Sequence, residues 1–440
     1  MYMRSLWQEN CSLPSFPKLE EDVQTQVLII GGGIAGLLCA WQLQEANVPY
    51  VLVEANRICS GVTANTTAKI TSQHGLIYHD LVRRLGEEMA KCYYATQENA
   101  LSQYRKLCGD AHCELETKEN IVYLREDRER LEKEMRALER IAAKAQWHEK
   151  LDLPFPVAGA IGFPDQAQFH PLKFLKFISE KLNIYENSRI THYDGCYHTD
   201  HAALRAEQVV IATHFPIFNK HGLFPLKLHQ HRSYVLGLEN ARSVDGMYLD
   251  GSGKGLSFRM AEDVLLLGGG SHRTGKQGGG WAELEQAVKR YYPEARIRWK
   301  WATQDCMSLD GMPYVGQYSP KTPNLYVATG FNKWGMTSAM AASILLRDLI
   351  TGKENPAREL FFPSRRMYLP GLAANGFHAA VNLLTPTVPR CPHLGCALKW
   401  NRQEHSWDCP CHGSRFAEDG TVLNNPATAD MKGKRNKNTP

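Results

Sequence analysis

The chain has no long apolar run. Its longest, residues 27–41, is broken by glycines and falls short of the roughly 20 residues a helix needs to span a bilayer. The opening stretch, MYMRSLWQENCSLPSFPKLEEDVQ, lacks an uninterrupted apolar segment after a basic start, so no secretory signal is expected there. Charge of one sign is also missing. The 51 basic and 46 acidic residues leave a net charge of +5, too dispersed to form the basic footprint of a nucleic-acid binder. No internal repeat is present. These absences predict a cytoplasmic protein without a membrane span or nucleic-acid partner, whose cysteines stay reduced. Twelve cysteines are present. Eight are scattered and are expected to serve as small buried apolar residues, whereas four crowd between positions 391 and 411 and require a specific role. With 440 residues, 43% hydrophobic and 22% charged, the chain has material for two or three globular domains.

Residues 26–30 read as a buried strand. A glycine cluster follows, then an apolar-periodic helix to about residue 44, then a second strand, YVLVEA, ending at Glu54 and Ala55. This is a β-α-β unit. The highly charged residues 127–147 predict a solvated surface helix. FHPLKFLKFISEKL predicts an amphipathic helix, and IYENSRIT and AEQVVIATHF predict strands. Residues 226–268 predict antiparallel sheet, 281–292 a helix, and NLYVATGF a strand feeding a helix over 336–350. After TGKENPAREL a linker leads to the cysteine cluster, and MKGKRNKNTP is expected to be a disordered basic tail.

In the first loop, Gly31, Gly33 and Gly36 satisfy G-x-G-x-x-G between a strand and a helix. Gly31 permits the tight turn, Gly33 lets backbone approach a pyrophosphate, and Gly36 allows close helix–strand packing. The helix start at Ile34 and Ala35 offers free N–H groups to phosphates. Glu54 lies 23 residues after Gly31, where a carboxylate can accept from ribose hydroxyls. The loop NRICSGVTANTTAKITSQHG, with Thr63, Thr67 and Lys69, is too polar for a core and is suited to bonding a flavin ring or its pyrophosphate. VATGFNKWGMTSA supplies a second glycine loop, in which Gly330 and Gly335 admit close backbone approach and Lys333 adds positive charge.

Together with DQAQFHPLKFLK, VVIAT and DGMPYVG, these motifs resemble the flavin amine and amino-acid oxidase family, which includes glycine, sarcosine and D-amino-acid oxidases. The resemblance covers about residues 27–352. It implies an α/β fold, with an FAD-binding three-layer Rossmann-like domain interleaved with a mixed-sheet substrate domain over 22–353. The FAD-binding parts would be about 22–80, 155–215 and 318–353, and the substrate-domain parts about 81–154 and 216–317. Ile190 would lie near the adenine, and Lys333, Trp334, Gly335, Met336 and Thr337 would line the flavin edge. Lys69 matches a position near the reactive edge, and Lys69 and Lys333 are the candidate catalytic residues. Sarcosine-oxidase-type relatives hold a substrate carboxylate with basic residues at positions occupied here by Ser72 and Thr337, which argues against an amino-acid substrate. Some relatives carry a flavin-linked cysteine where this chain has Thr303, with Cys306 three residues on. Noncovalent FAD is therefore expected.

At the other end, Cys391-x-His393 and Cys409-x-x-His412 give two thiolates and two imidazoles on two short loops. Such a set suits a structural zinc, a Rieske centre with two cysteines on one iron and two histidines on the other, or a metal-free thiol patch. CPHLGC and CPCHGSRF, with NNPA around Pro426, resemble the Rieske family. The resemblance implies a [2Fe–2S] cluster held by Cys391, His393, Cys409 and His412 in a small all-β module over 389–430, after a linker over 354–388 and before a tail over 431–440. It also implies a disulfide between Cys396 and Cys411. Trp400 and Trp407, on a hairpin between the loops, are expected to shield the site. In high-potential relatives a tyrosine at the position of Phe416 donates to a ligand-cysteine sulfur, while Ser414 keeps the other donor position. Residues 352–391 offer one helix-like run and at most one strand, so the base sheet of the module looks truncated. The loops are expected to rest on the FAD portion. The combined expectation is an FAD-dependent oxidoreductase acting on a small organic substrate, with amines as the favoured class. Electrons would pass from flavin to the cluster and on to a one-electron acceptor or electron-transfer protein. The rival expectations are an oxygen-using oxidase with an inert Rieske remnant, and a flavoprotein with a zinc-stabilised interaction module.

Overall fold

The β-branched run ahead of the first glycine loop forms the strand Val23–Ile30, whose last four residues are buried on both faces. In the computed structural model, which describes residues 4–218, 221–386 and 389–431, this strand is central to a mixed sheet. It pairs in parallel with Ala203–Ile211 on one side and Tyr50–Val53 on the other. Ile184–Tyr185 extends the sheet beyond Tyr50–Val53, and Leu325–Thr329 and Tyr314–Gln317 extend it the other way. Helices Ile34–Glu45 and Gly335–Ile350 pack against each other. Every residue from Ile34 to Leu43 is buried, as expected of a helix that is apolar all round.

A second, nine-stranded sheet forms the other half of the oxidoreductase. Its order runs Arg296–Ser308, Leu228–Glu239, Val264–Arg273, Ser257–Ala261, Met247–Asp250, Glu116–Leu124, Gly159–Gln168 and Lys69–Ile70, with Gln146–His148 also paired to Gly159–Gln168. The two long strands Leu228–Glu239 and Arg296–Ser308 are antiparallel along their length. A third sheet of four short strands, Lys399–Asn401, Ser406–Asp408, Arg415–Phe416 and Val422–Asn424, belongs to the C-terminal module. Among the described residues, the stretch between Gly352 and Cys391 holds helices Arg358–Phe361 and Leu369–Leu384 and no strand.

Several sequence expectations are corrected. The helix expected over 127–147 ends at Arg140, and Trp147 lies in the strand Gln146–His148. Nor is that helix wholly solvated. Leu131, Glu134, Ala137 and Leu138 are buried, and the Glu134 carboxylate accepts from the backbone N–H groups of Tyr78 and His79, both at 2.8 Å. IYENSRIT contributes only Ile184–Tyr185 to the sheet, because buried Glu186 turns inward to accept from the N–H of Phe16 and Ile58. The strands within 226–268 pair antiparallel with one another as expected, and Met247–Asp250 also pairs in parallel with Glu116–Leu124, which makes the second sheet mixed. Of the eight scattered cysteines, Cys11, Cys92 and Cys196 are only half-buried. The basic tail beyond Met431 lies outside the described residues.

Candidate active site and cluster site

A cavity of about 1290 Å³ opens where the parallel strands end at the glycine loops. Gly31, Gly33, Ile34, Ala35, Glu54, Thr63, Thr67, Lys69, Ile190, Gly330, Lys333, Trp334, Gly335 and Met336 all border it. Gly36 does not, since it serves packing. A Cβ there would stand 1.9 Å from the Gly31 carbonyl oxygen, so helix and loop approach as closely as they do only with glycine. A Cβ on Gly33 would meet only the Thr63 hydroxyl, at 3.4 Å, which leaves open space at the helix start for a ligand. The Glu54 carboxylate accepts from the N–H groups of Gly32 and Asn56, at 2.7 and 2.9 Å, and is thereby fixed at the strand end. Thr63 accepts from Ile34 N–H at 3.1 Å, tying the polar loop to the helix start.

Thr337 departs from its expected place on the flavin edge. It is buried behind the wall, donating to the Thr71 carbonyl at 3.0 Å and meeting His74 Nε2 at 2.9 Å. Ser72 is buried as well, donating to Glu98. Thr303 and Cys306 both border the cavity. Burial pushes the Cys306 thiol up to about 12, so it stands as a neutral thiol rather than a nucleophile.

The far end of the cavity is richer in titratable groups than the sequence suggested. His74 stacks on Trp334 with ring centroids 4.9 Å apart, and burial holds it neutral, near 3. Lys69 donates to the Tyr248 carbonyl at 2.8 Å, and burial, aided by Arg259, lowers it to about 7. Lys333 donates to Ser271 at 2.5 Å. Desolvation lowers Lys333, Asp305 opposes that shift, and desolvation raises the Asp305 carboxyl in turn. His229 and His231 also face this space and are held neutral by burial, near 2 and 3. The alternation in LHQHRS was the available signal for these histidines, because residues two apart in a strand share a face.

That alternation has a second consequence. His229, His231 and Ser233 line the cavity, as do Thr303 and Asp305 of the paired strand. Gln230 and Gln304, between them in sequence, point to the opposite face and hold the C-terminal module. Gln230 Nε2 donates to the carbonyls of His412 and Asn425 at 3.0 and 2.8 Å. Gln304 Nε2 donates to the Gly413 carbonyl and to Gln230 Oε1, both at 2.8 Å. Arg273 donates to the Pro410 and Cys411 carbonyls at 3.0 and 2.8 Å. Four consecutive carbonyls of the second cysteine loop, from Pro410 to Gly413, are thus satisfied by side chains of the oxidoreductase. A Cβ on Gly413 would lie 2.5 Å from that of Gln230, so the loop seats directly on the strand. Asn425 reaches the carbonyls of Thr213 and Phe215, and residues from Val422 to Thr428 border the cavity itself. The missing base sheet is replaced by the oxidoreductase.

The two cysteine loops are built alike. Gly395 N–H donates to Cys391 O, and Gly413 N–H to Cys409 O, both at 2.9 Å. Cys391 N–H donates to Cys396 O, and Cys409 N–H to Ser414 O. The Cys391 and Cys409 thiols meet each other, and hydrogen bonds from Cys409 and Ser414 hold Cys391 below the usual thiol range. The His393 and His412 rings meet with centroids 5.1 Å apart, and burial keeps both neutral, near 4 and 3. Buried His412 Nδ1 has no hydrogen-bond partner among the described residues. A sulfur pair and a neutral imidazole pair carried on the same two loops fit a two-iron cluster with two ligands of each kind. Cys396 and Cys411 form a disulfide joining the loops. Trp400 and Trp407 pack together on the hairpin, centroids 5.0 Å apart, with Trp407 against the cysteine core.

Comparisons with known proteins agree with this geometry. The family model for FAD-dependent oxidoreductases of the DAO type matches residues 26–349, and that for the Rieske [2Fe-2S] domain matches 384–434. A Bacillus subtilis (strain 168) protein carried under the name Rieske 2Fe-2S iron-sulfur protein YhfW is 32% identical over 496 aligned positions, covering 97% of this chain and 96% of its own. That span exceeds the 440 residues here, so the relative carries residues without counterparts in this chain. Cytochrome b6-f complex iron-sulfur subunit 3 of Nostoc sp. is 36% identical over 97 residues, 20% of this chain and 54% of that one. Among solved structures, glycine oxidase from Geobacillus kaustophilus superposes with a TM-score of 0.65 at 17% identity, covering 78% of this chain and all of the other. L-proline dehydrogenase from P. horikoshii gives 0.65 at 15%, covering 80% and 98%. The chain belongs to the DAO family of FAD-dependent oxidoreductases and carries a C-terminal Rieske [2Fe–2S] domain.

Proposed function

We propose that the chain oxidises a small organic substrate of the amine class in the cavity and delivers the electrons, one at a time, through the Rieske module to an external acceptor. The carrying observation is the shared wall: two paired strands line the cavity with His229, His231, Thr303 and Asp305 and seat the cluster loop with Gln230 and Gln304. Bound FAD supplies two-electron hydride chemistry and the bound cluster supplies one-electron transfer. In this reading Gly31, Gly33, Ile34 and Ala35 receive the pyrophosphate, Glu54 the ribose and Ile190 the adenine. Trp334, Gly335 and Met336 border the ring, and Lys69 and Lys333 stand at its reactive edge. Cys391, His393, Cys409 and His412 ligate iron.

The amine class is supported by the names of the structural neighbours, glycine oxidase and L-proline dehydrogenase. Against a carboxylate-bearing substrate stand buried Ser72 and Thr337, which offer no cation. A cytoplasmic location is part of the proposal, supported by the eight cysteines outside the C-terminal module, none of which is paired in a disulfide. The test is anaerobic reduction with a panel of amines, followed by turnover with a one-electron acceptor. Cys409→Ser is expected to keep flavin reduction and lose acceptor turnover. Undiminished turnover in that variant would overturn the electron route and favour an oxygen-using oxidase with an inert module.

A further inference from the structure

The sequence THYDGCYHTD folds into a small hairpin at the edge of the nucleotide-binding sheet. Its strands, His192–Tyr193 and Tyr197–His198, are antiparallel, with His192 opposite His198, and Tyr197–His198 pairs in turn with Ala203 and Leu204. Two residues per strand is too little for a hairpin to hold itself in water. Side chains alternate across it. Tyr193 and Tyr197 meet with ring centroids 4.6 Å apart, and Tyr197 packs towards Phe218. The intervening positions are His192, Asp194, Cys196 and His198, each two residues from the next.

These donors converge. His198 Nε2 lies 2.7 Å from Asp194 Oδ1 and 3.1 Å from Cys196 Sγ, and Cys196 Sγ lies 3.5 Å from Asp194 Oδ1. His192 Nε2 stands 4.0 Å from the other Asp194 oxygen, and the two imidazoles are parallel with centroids 4.3 Å apart. The ligand atoms of His192, Asp194 and His198 all lie within 4.8 Å of one another. Around a tetrahedral ion with bonds of about 2.0–2.3 Å, neighbouring donors sit roughly 3.3–3.7 Å apart. The spacings among Asp194, Cys196 and His198 overlap that range, and the His192 ring, stacked parallel on His198, would turn to bring its nitrogen to the common centre.

We infer that His192, Asp194, Cys196 and His198 form a binding site for a zinc-class divalent cation, separate from the cluster ligands. Two imidazoles, a thiolate and a carboxylate make a mixed donor set suited to zinc and too soft for magnesium or calcium. The Asp194–His198 ion pair alone would stitch the turn, but it leaves the thiol and the second imidazole on the same face unexplained. The ion would fasten a hairpin that begins two residues after Ile190, which borders the nucleotide end of the cavity. It would act there as a structural tie on the adenine side.

The experiment uses the full chain with its flavin and iron in place. Equilibrium dialysis against zinc at micromolar free concentration is expected to add one zinc per chain without displacing iron. Cys196→Ser and His198→Ala are each expected to weaken that zinc at least tenfold while flavin and iron per chain stay unchanged, since both side chains are only partly buried and the hairpin lies at the surface. Cobalt in place of zinc is expected to give a thiolate charge-transfer band that Cys196→Ser abolishes. Absence of the added zinc, or its retention at full affinity in both variants, would overturn the site.

Discussion

Replacing Glu404 with glutamine should detach the cluster module while leaving the flavin in place. Glu404 projects from the module hairpin into the oxidoreductase, where Arg232 grips its carboxylate through Nε at 3.0 Å and through Nη2. Tyr234 donates to it at 2.8 Å, and Arg415, which also pairs with Asp408, approaches at 2.9 Å. All four charged side chains are at most 7% exposed. Two cations and two anions balance, and glutamine leaves one positive charge buried. Breaking such a pair from one side typically costs about 3–5 kcal/mol. The depressed pKa of Glu404 points the same way. The Arg232 and Arg415 guanidiniums hold Glu404 down from 4.5 to about 2 against the opposing effect of burial, which at 1.36 kcal/mol per unit is about 3 kcal/mol. A depressed carboxylate stabilises fully above its unfolded pKa, so this contribution is present above pH 4.5 and fades as pH falls towards 2. A domain has only about 5–15 kcal/mol in total, so a module without its own base sheet is expected to lose its seat. The assay is iron and flavin per chain after gel filtration, with urea unfolding at pH 7 and at pH 3. Glu404→Gln should lower the iron-to-flavin ratio and the first unfolding midpoint at pH 7, and the difference from wild type should shrink at pH 3. The paired variant Arg232→Met with Glu404→Leu should recover much of the loss. An iron-to-flavin ratio and midpoint unchanged at pH 7 would refute the reasoning.

Gly33→Val is expected to yield a folded chain without flavin, since the added side chain meets mainly ligand space, whereas Gly36→Ala should lower thermal stability even without flavin because its Cβ strikes the Gly31 carbonyl; full flavin in the first variant would defeat the assignment. Cys391→Ser should abolish iron binding, while Cys396→Ser removes a loop tie of about 2–4 kcal/mol and should leave a cluster that assembles but decays faster; equal iron loss in both would remove the distinction. Phe416 is fully buried beside Cys391 and lacks a donor. Phe416→Tyr is expected to raise the cluster midpoint by roughly 20–65 mV, from one hydrogen bond of about 0.5–1.5 kcal/mol, and an unchanged or lower midpoint in film voltammetry would contradict it.

The parts legible in the sequence were those whose chemistry is local. The G-x-G-x-x-G turn and the paired cysteine loops each close within a few residues, so spacing marks them as sites and the family resemblance supplies their chemistry. The charged helix over 127–147 misled because a run of charges hides the stripe from Leu131 to Leu138, and buried Glu134 counts as solvated until its two N–H partners are seen. Truncation of the base sheet was readable from the short linker, but its replacement was not. Gln230 and Gln304 look like solvent-facing strand residues, and only the pairing of strands more than fifty residues apart brings them side by side under the cluster loop. Thr337 fell on the wrong side of its helix for the same kind of reason, since its partner His74 comes from a distant loop. His74 and Asp305 carried no motif that would mark them, and only the period-two alternation of LHQHRS pointed to His229 and His231.

The seating of the Pro410–Gly413 carbonyls on Arg273, Gln230 and Gln304 also sets an order of manufacture. Synthesis runs from the N-terminus, and all three receiving side chains leave the ribosome more than a hundred residues before the second cysteine loop. The platform therefore exists before the part it carries, and the loop is moulded on a finished surface as domains form in turn. A copy of the C-terminal segment made by itself would emerge without the template that shapes it.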